Sequence, residues 1–416
     1  MKEKHNIISR RNFLKAASVT GISSVLAGCE HKKESEPTAV DTNTPPTEQE
    51  LKDAKAPKRK LGKTNIMVPV LSFGTFMCDV TNQILLRKTI HHDINLWDTS
   101  YNYGHGNSEL GIGKFLTKNP QVRKNLLLAT KASNASKATE LEDRLQTSLK
   151  RLNTDYIDLY YGVHQCNSPA SFTDELKEWT ESAKKRKLIR FLGISTHENV
   201  PQVLTGAARL DWIDVIMLTY NYRLTKDKKL NAAIDACHKA NIGLIAMKTQ
   251  GFGQRLDLKQ EATRLRPFYK VGYSRGQAKI KCVLNDKRFS SACVGIQNTN
   301  YLYLNLAAVV EKTELTRADM QDLREYAEAT CDGYCAGCAN ICNAALPDTP
   351  YICDIMRYLM YYNNYNAKEH ARQLFAQIPA SVRNKLLDFD YRPAEACCPQ
   401  HLPIRNLVAE AITKLA

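Results

Sequence analysis

The sequence predicts an α/β chain: a (β/α)8 parallel barrel followed by a small, mostly helical, cysteine-rich C-terminal domain. From residue 66 onward, short apolar runs alternate with amphipathic segments, the pattern of strands joined by helical crossovers. No run is followed by a GxGxxG turn, which argues against an open dinucleotide-binding sheet. Seven of the 13 cysteines fall in residues 331–416, and that asymmetry marks a separate unit.

The apolar runs number eight: VPVLSFGT, INLWDTS, NLLLATK, IDLYYGVH, RFLGIST, VIMLTYN, GLIAMKT and ACVGIQ. Each is bounded by polar or glycine-containing turns, as expected for short strands of a parallel sheet. Between them, stretches such as ELEDRLQTSLKRL and DELKEWTESAKKRKLI space Leu, Trp and Ile at helical intervals. Chemistry in such a barrel sits where strands end and loops begin. Those positions hold Asp98, Lys131, His164 and Ser195, and Tyr103 lies in the loop after Asp98.

At 416 residues and 43% hydrophobic content the chain can bury a large core. Its formal charge of +15 is scattered among Glu and Asp rather than gathered into an aromatic-rich basic stripe, so no nucleic-acid partner is expected. The N-terminus reads as an address. Arg10 and Arg11 stand in SRRNFLK, ahead of AASVTGISSVLAG, an apolar segment too short to span a bilayer; this is the twin-arginine export pattern. Leu26 to Cys29 is similar to a lipoprotein lipobox, which makes Cys29 the expected lipidation site and residues 1–29 the signal peptide. Residues 30–57, with four prolines and almost no large apolar side chains, are expected to be a disordered tether between the lipid and a barrel over residues 58–315, with the tail over 316–416. The expected location is the periplasm or cell envelope, on a membrane through the lipid anchor.

A phenol can protonate a carbonyl oxygen as hydride arrives if its pKa, ordinarily about 10, is lowered by an adjacent ammonium. Lys131 can supply that charge to Tyr103, Asp98 can hold the lysine, and His164 can donate a hydrogen bond that orients the carbonyl. Singly, a His or Tyr at a strand end is more often a satisfied structural residue. Together, and in this order, the segments KRKLGKTNIMVPVLSFGT, INLWDTSYNYGHGNSELGIGKFL, LLLATKAS, SLKRLNTDYIDLYYGVH, IRFLGIST and VGIQNTNYLYLNL resemble the aldo-keto reductase family. That resemblance implies a TIM barrel and NAD(P)H-dependent interconversion of a carbonyl and an alcohol. Tyr103 is then the acid, Asp98 and Lys131 its tuning pair, and His164 the carbonyl binder. On the cofactor side the resemblance assigns Ser195 and Thr196 to the nicotinamide amide, with Thr196 where the family usually has Asn. Met217 stands in place of Gln and Met247 in place of an aromatic ring. The loop beginning at Gly295 lacks the Lys or Arg that commonly meets a 2′-phosphate, and Asn305 takes the adenine-side Asn position. NAD, NADP and neither stay open.

The tail motif is CDGYCAGCANIC, at residues 331–342. CxxC spacing lets two thiolates point at one centre, as Cys335 and Cys338 can; Cys331 and Cys342 bracket them, and EACCPQHLPI places Cys398 before a proline. This tail is similar to the ferredoxin-like extension of an aldo-keto reductase subgroup, in reduced form. The resemblance implies one [4Fe-4S] cluster on Cys335, Cys338, Cys342 or Cys331, and Cys398. Disulfides and a structural zinc remain open. Cys331, Cys335 and Cys338 also have the CxxxCxxC spacing of radical S-adenosylmethionine enzymes, which place it after the first barrel strand rather than the last. The Tyr- and Met-rich PYICDIMRYLMYYNNYNAKEHARQLFAQI reads as core around the cluster.

These observations predict an exported aldo-keto reductase-type oxidoreductase acting on a small carbonyl or sugar-like substrate, with a redox partner protein if electrons pass through the tail. The alternative is a non-catalytic binding lipoprotein that retains the barrel. Arg255, Arg264, Arg266 and Lys270, in the loop over 250–275, suit an anionic or sugar-like ligand and suit solvent equally.

Overall fold

The computed structural model describes residues 49–76, 80–133, 135–252, 275–311, 314–331, 333–348 and 351–416. The export signal, Cys29, most of the tether, and Arg255, Arg264, Arg266 and Lys270 lie outside them. An antiparallel hairpin, β1 (Lys58–Lys60) and β2 (Met67–Pro69), precedes the barrel. The barrel strands are β3 (Leu71–Gly74), β4 (Leu96–Asp98), β5 (Leu127–Lys131), β6 (Ile157–Val163), β7 (Ile189–Thr196), β8 (Val215–Thr219), β9 (Gly243–Met247) and β10 (Ser291–Gly295). They pair in sequence order, all parallel, and β10 closes on β3. Each of the eight expected runs contributes one strand of this closed TIM barrel.

Period-two alternation sorts the side chains. In β6, Leu159 and Tyr161 point into the barrel with Leu96, Ala129, Val215, Met217 and Ile245. Tyr160 points out into the layer beneath the helices. Leu61 and Val68 of the hairpin join the interior set, so the hairpin stoppers the barrel at the end opposite the catalytic loops. Gly62 makes that closure possible: its φ is 50°, and a Cβ there would lie 2.3 Å from the Gly243 nitrogen.

The helices between strands are α1 (Gln83–His91), α2 (Asn107–Lys118), α3 (Ala138–Leu152), α4 (Asp174–Lys185), α5 (Val200–Ala207), α6 (Lys228–Lys239), α7 (Arg275–Asn285) and α8 (Thr299–Val310). Their starts are written locally: the side chains of Asn82, Thr173, Asp227 and Asn298 accept hydrogen bonds from first-turn amides. Residues 49–57, expected as the end of the tether, instead pack on the barrel, because Leu51 and Ala56 are buried in its outer core.

Beyond the barrel run α9 (Arg317–Ala329), α10 (Ala339–Ala345), α11 (Ile352–Tyr365), α12 (Lys368–Ala376), α13 (Ala380–Arg383), α14 (Arg392–Cys397) and α15 (Ile404–Leu415). The last six of these enclose a second core, built on Ile355, Leu359, Phe375, Leu386, Tyr391, Val408 and Leu415. Among the described residues no helix is long and apolar enough to cross a membrane.

Candidate active site

β4 and β5 end side by side, which sets Asp98 against Lys131. The lysine Nζ donates to both carboxylate oxygens, at 2.7 and 2.6 Å, and to the Thr99 carbonyl at 2.6 Å. Both side chains are almost wholly buried. Burial raises the Asp98 carboxyl, and the ammonium beside it opposes that shift. After β4 the chain makes a 3-10 turn over Tyr103–Gly106 whose Gly104 and His105 both have positive φ. This turn lays the Tyr103 ring 4.7 Å from the lysine Nζ. Burial, with Asp98 and Tyr361 adding to it, pushes the Tyr103 phenol well above its ordinary value. The sequence-based expectation was the opposite sign; burial, with Asp98 adding to it, outweighs the nearby ammonium, and the phenol is held protonated.

His164 follows β6, and its Nδ1 lies 2.7 Å from Ser195 Oγ. That hydroxyl also accepts from the Gln165 amide at 3.3 Å, and with its proton on Nδ1 the imidazole would carry its own proton on Nε2. Burial, then Lys131 and Arg357, hold His164 neutral by lowering its pKa well below 6.5. Ser195 therefore orients His164. Thr196 is turned away as well, donating from Oγ1 to the Glu198 carbonyl at 3.0 Å.

Asp98, Tyr103 and His164 open onto one cavity of about 1290 Å³, room for a dinucleotide together with a small substrate. Met217, Met247, Gly295 and Asn305 line it too. At Gly295 a Cβ would meet nothing within 4 Å, and Asn305 Nδ2 approaches its carbonyl at 3.5 Å, so this wall is open for a flat ligand. The remaining wall comes from the tail, which sequence reasoning assigned to a cluster's core. Tyr361 and Tyr365 of α11 stack with centroids 5.6 Å apart. Phe76 joins them to the catalytic loop, with its ring 5.3 Å from Tyr361 and 5.0 Å from Tyr103.

Away from this mouth the tail gathers thiols. Cys335 Sγ donates to Cys353 Sγ at 3.8 Å. Cys353 also bonds Cys342, which holds the Cys342 thiol below its ordinary value and pushes Cys353 well above. Cys335, Cys342 and Cys398 stand close enough to raise Cys338 to about 12, after burial. The gathered set is thus Cys335, Cys338, Cys342, Cys353 and Cys398. Cys353 was missed because it stands alone in the sequence. Cys331 makes no thiol contact among the described residues. An all-thiol donor set suits a soft metal or an iron–sulfur cluster. Among the described residues, however, no three such groups already stand at the distances a metal ion requires.

The fold and this constellation define a closed barrel with Asp98, Lys131, Tyr103 and His164 gathered at its mouth. Residues 72–328 match the aldo/keto reductase family, and the chain belongs to that family. The Schizosaccharomyces pombe protein named aldo-keto reductase yakc (NADP(+)) is 29% identical over 220 residues, covering 47% of this chain and 62% of that one. Aldo-keto reductase AMT2 of Alternaria alternata is 23% identical over 241 residues, covering 47% and 65%. This chain thus spans less than two thirds of either relative's length. Two solved structures share the fold. An aldo-keto reductase from Bacillus halodurans in holo form has a TM-score of 0.55 at 23% identity, over 65% of this chain and 96% of that one. The thermostable aldo-keto reductase Tm1743 has a TM-score of 0.54 at 23% identity, over 64% and 98%. The family match ends at residue 328, so the gathered thiols lie beyond it.

Proposed function

We propose that this protein is an exported, lipid-anchored carbonyl reductase that uses NADH or NADPH, with a tail that holds one iron–sulfur cluster. The observation that carries the reading is the meeting of Asp98, Lys131, Tyr103 and His164 at one end of a closed barrel, around a cavity large enough for cofactor and substrate. Family membership and the NADP(+) in one relative's name support the cofactor.

A nicotinamide cofactor, when bound, supplies hydride; of the wall residues, Met217 would meet its nicotinamide end, and Gly295 and Asn305 its adenosine end. The chain's own groups then act on the carbonyl. His164 Nε2–H donates to the carbonyl oxygen and fixes its position. Tyr103 Oη gives its proton to that oxygen as negative charge develops there, and solvent returns the proton. Lys131, anchored by Asp98, stabilises the phenolate left behind. The tail cluster, when bound, offers one-electron chemistry; Cys335, Cys338, Cys342, Cys353 and Cys398 are its candidate ligands. Arg10, Arg11 and Cys29 support export and anchoring.

The test is oxidation of NADH and NADPH by protein purified without oxygen, against a panel of aldehydes and ketones. Tyr103→Phe should lower kcat by about 10²–10⁴-fold and leave cofactor binding intact. Absence of turnover with every carbonyl and both cofactors would sink the reading. Iron, sulfide and zinc analysis with an EPR spectrum tests the tail, and colourless, zinc-containing protein would replace the cluster by a structural metal.

A second reading, a binding lipoprotein without turnover, is favoured by one observation. The hydroxyls of Ser195 and Thr196 are engaged by His164, Gln165 and Glu198, which leaves neither free for a nicotinamide amide. Cofactor titration separates the two readings: saturable binding supports the reductase.

A further inference from the structure

Lys248 leaves the end of β9 with φ 57°, a left-handed conformation uncommon for a residue bearing a side chain. Strained backbone at the C-terminal end of a barrel strand points toward function. The side chain lines the cavity. Its Nζ donates to the Tyr361 hydroxyl at 3.3 Å and lies 4.4 and 4.8 Å from the ring centroids of Tyr361 and Tyr365. Two other buried cations near the mouth are matched by carboxylates: Lys131 pairs with Asp98, and Arg357 with Glu198 and Asp354. Lys248 has no carboxylate partner among the described residues. An ammonium walled by aromatic rings lacks the countercharge that such an enclosure demands. Burial works to lower its pKa, and Tyr361 and Tyr365 together outweigh that, so the net shift is upward.

The site reaches the catalytic groups through one ring. The Phe76 ring centre lies 5.0 Å from that of Tyr103 and 5.8 Å from Lys248 Nζ, so the ammonium stands within about 11 Å of the centre of the Tyr103 ring. A molecule whose carbonyl meets Tyr103 and His164 can reach Lys248 with a group only a few bonds away. We propose that Lys248, with the hydroxyls of Tyr361 and Tyr365, binds the carboxylate of an acidic carbonyl substrate, a semialdehyde acid or a sugar acid. The carbonyl half of this statement rests on the reductase reading; the carboxylate half does not. A cofactor phosphate is the other source of anionic oxygens. Tyr361 and Tyr365 lie beyond residue 328, where the family match ends, so this half of the site selects a substrate rather than a cofactor the family shares.

The experiment titrates the full chain calorimetrically with succinate and gluconate, which cannot be reduced, and in parallel with NADPH and inorganic pyrophosphate. Carboxylate affinity should fall at least tenfold in Lys248→Met, hold within threefold in Lys248→Arg, and weaken in Tyr361→Phe. Lys248→Arg guards against a folding defect. In turnover, the ratio of kcat/KM for succinic semialdehyde over butanal should drop at least tenfold in Lys248→Met. If Lys248→Met loses pyrophosphate or NADPH affinity and keeps that for carboxylates, the site serves the cofactor and the proposal is overturned. It is also overturned if carboxylates bind parent and Lys248→Met alike, or neither. Lysine-dependent carboxylate binding without turnover of any carbonyl would remove the reductase reading and leave the anion site standing.

Discussion

Arg357, midway along α11, donates from Nη1 to Glu198 Oε1 at 2.6 Å, three residues past the serine that orients His164. Both side chains are about nine-tenths buried, so the pair pins the tail to the barrel at the rim of the active site. Arg357 also bonds Asp354 one turn earlier in its own helix. Burial of Glu198 raises its carboxyl, and Arg357 works against that rise.

Breaking this pair from one side leaves a buried charge without a partner. Arg357→Met should cost about 3–5 kcal/mol in denaturant melts, whereas Arg357→Met with Glu198→Gln should recover a large part of that loss. A single variant that melts with the parent would show the pair to be solvated in solution.

A second docking point is backbone on backbone. Gly337 has φ 78°, and a Cβ there would lie 2.2 Å from the His197 carbonyl oxygen. Its own carbonyl accepts from the Asn199 amide at 2.8 Å, and the Asn199 side chain accepts from the Asn340 amide at 2.8 Å. Gly337→Ala must push the tail off the barrel as well as strain φ, so a loss of about 2 kcal/mol or more is expected. Limited proteolysis should then cut between residues 329 and 339 in the variant before it cuts the parent.

The pH dependence follows from His164. Its folded pKa is depressed below 6.5 by burial, Lys131 and Arg357, so the folded protein binds fewer protons than the unfolded chain between that lowered value and 6.5. Stability is complete above 6.5 and falls as pH drops below it, by about 1.4 kcal/mol for each unit of separation. Thermal melts from about pH 7.5 to about pH 5.5 should slope downward on acidification, and His164→Gln should remove part of that slope, the rest staying with His197, which burial also holds well below 6.5. Lys131 and Arg357 both face this imidazole, so Arg357→Met should raise its pKa.

The barrel was legible because each strand carries its own signal: apolar runs of the right length, ended by Asp98, Lys131 and His164, which local spacing alone places at the catalytic rim. What was not legible is whatever depends on the tail folding back. Glu198 and Arg357 are 159 residues apart, and Lys248 and Tyr361 are 113 apart, with no pattern linking either pair. The stripe PYICDIMRYLMYYNNY has core spacing, and most of it is core; only the docked position of α11 turns Tyr361 and Tyr365 into cavity wall. The sign of the Tyr103 shift was also out of reach, because spacing cannot reveal how completely the docked tail buries the phenol.

The thiol set makes a prediction that spacing alone reverses. A reading of CDGYCAGCANIC admits Cys331 as the alternative to Cys342 and ignores Cys353, whereas the structure brings Cys353 to 3.8 Å from Cys335, and among the described residues no thiol bond reaches Cys331. Tetrahedral thiolates about 2.3 Å from a single metal lie roughly 3.8 Å from one another, so this pair already has the separation of two ligands of one ion. Cys353→Ser should therefore lower bound metal or iron per chain by at least half and lower the melting temperature, because metal affinity is folding free energy in a small thiol-bound unit. Cys331→Ser should leave both unchanged. A chelator should reproduce the Cys353→Ser melt in the parent protein and do little to the variant. The reverse pattern, with metal lost in Cys331→Ser and kept in Cys353→Ser, would return the ligand set to the one the spacing suggests.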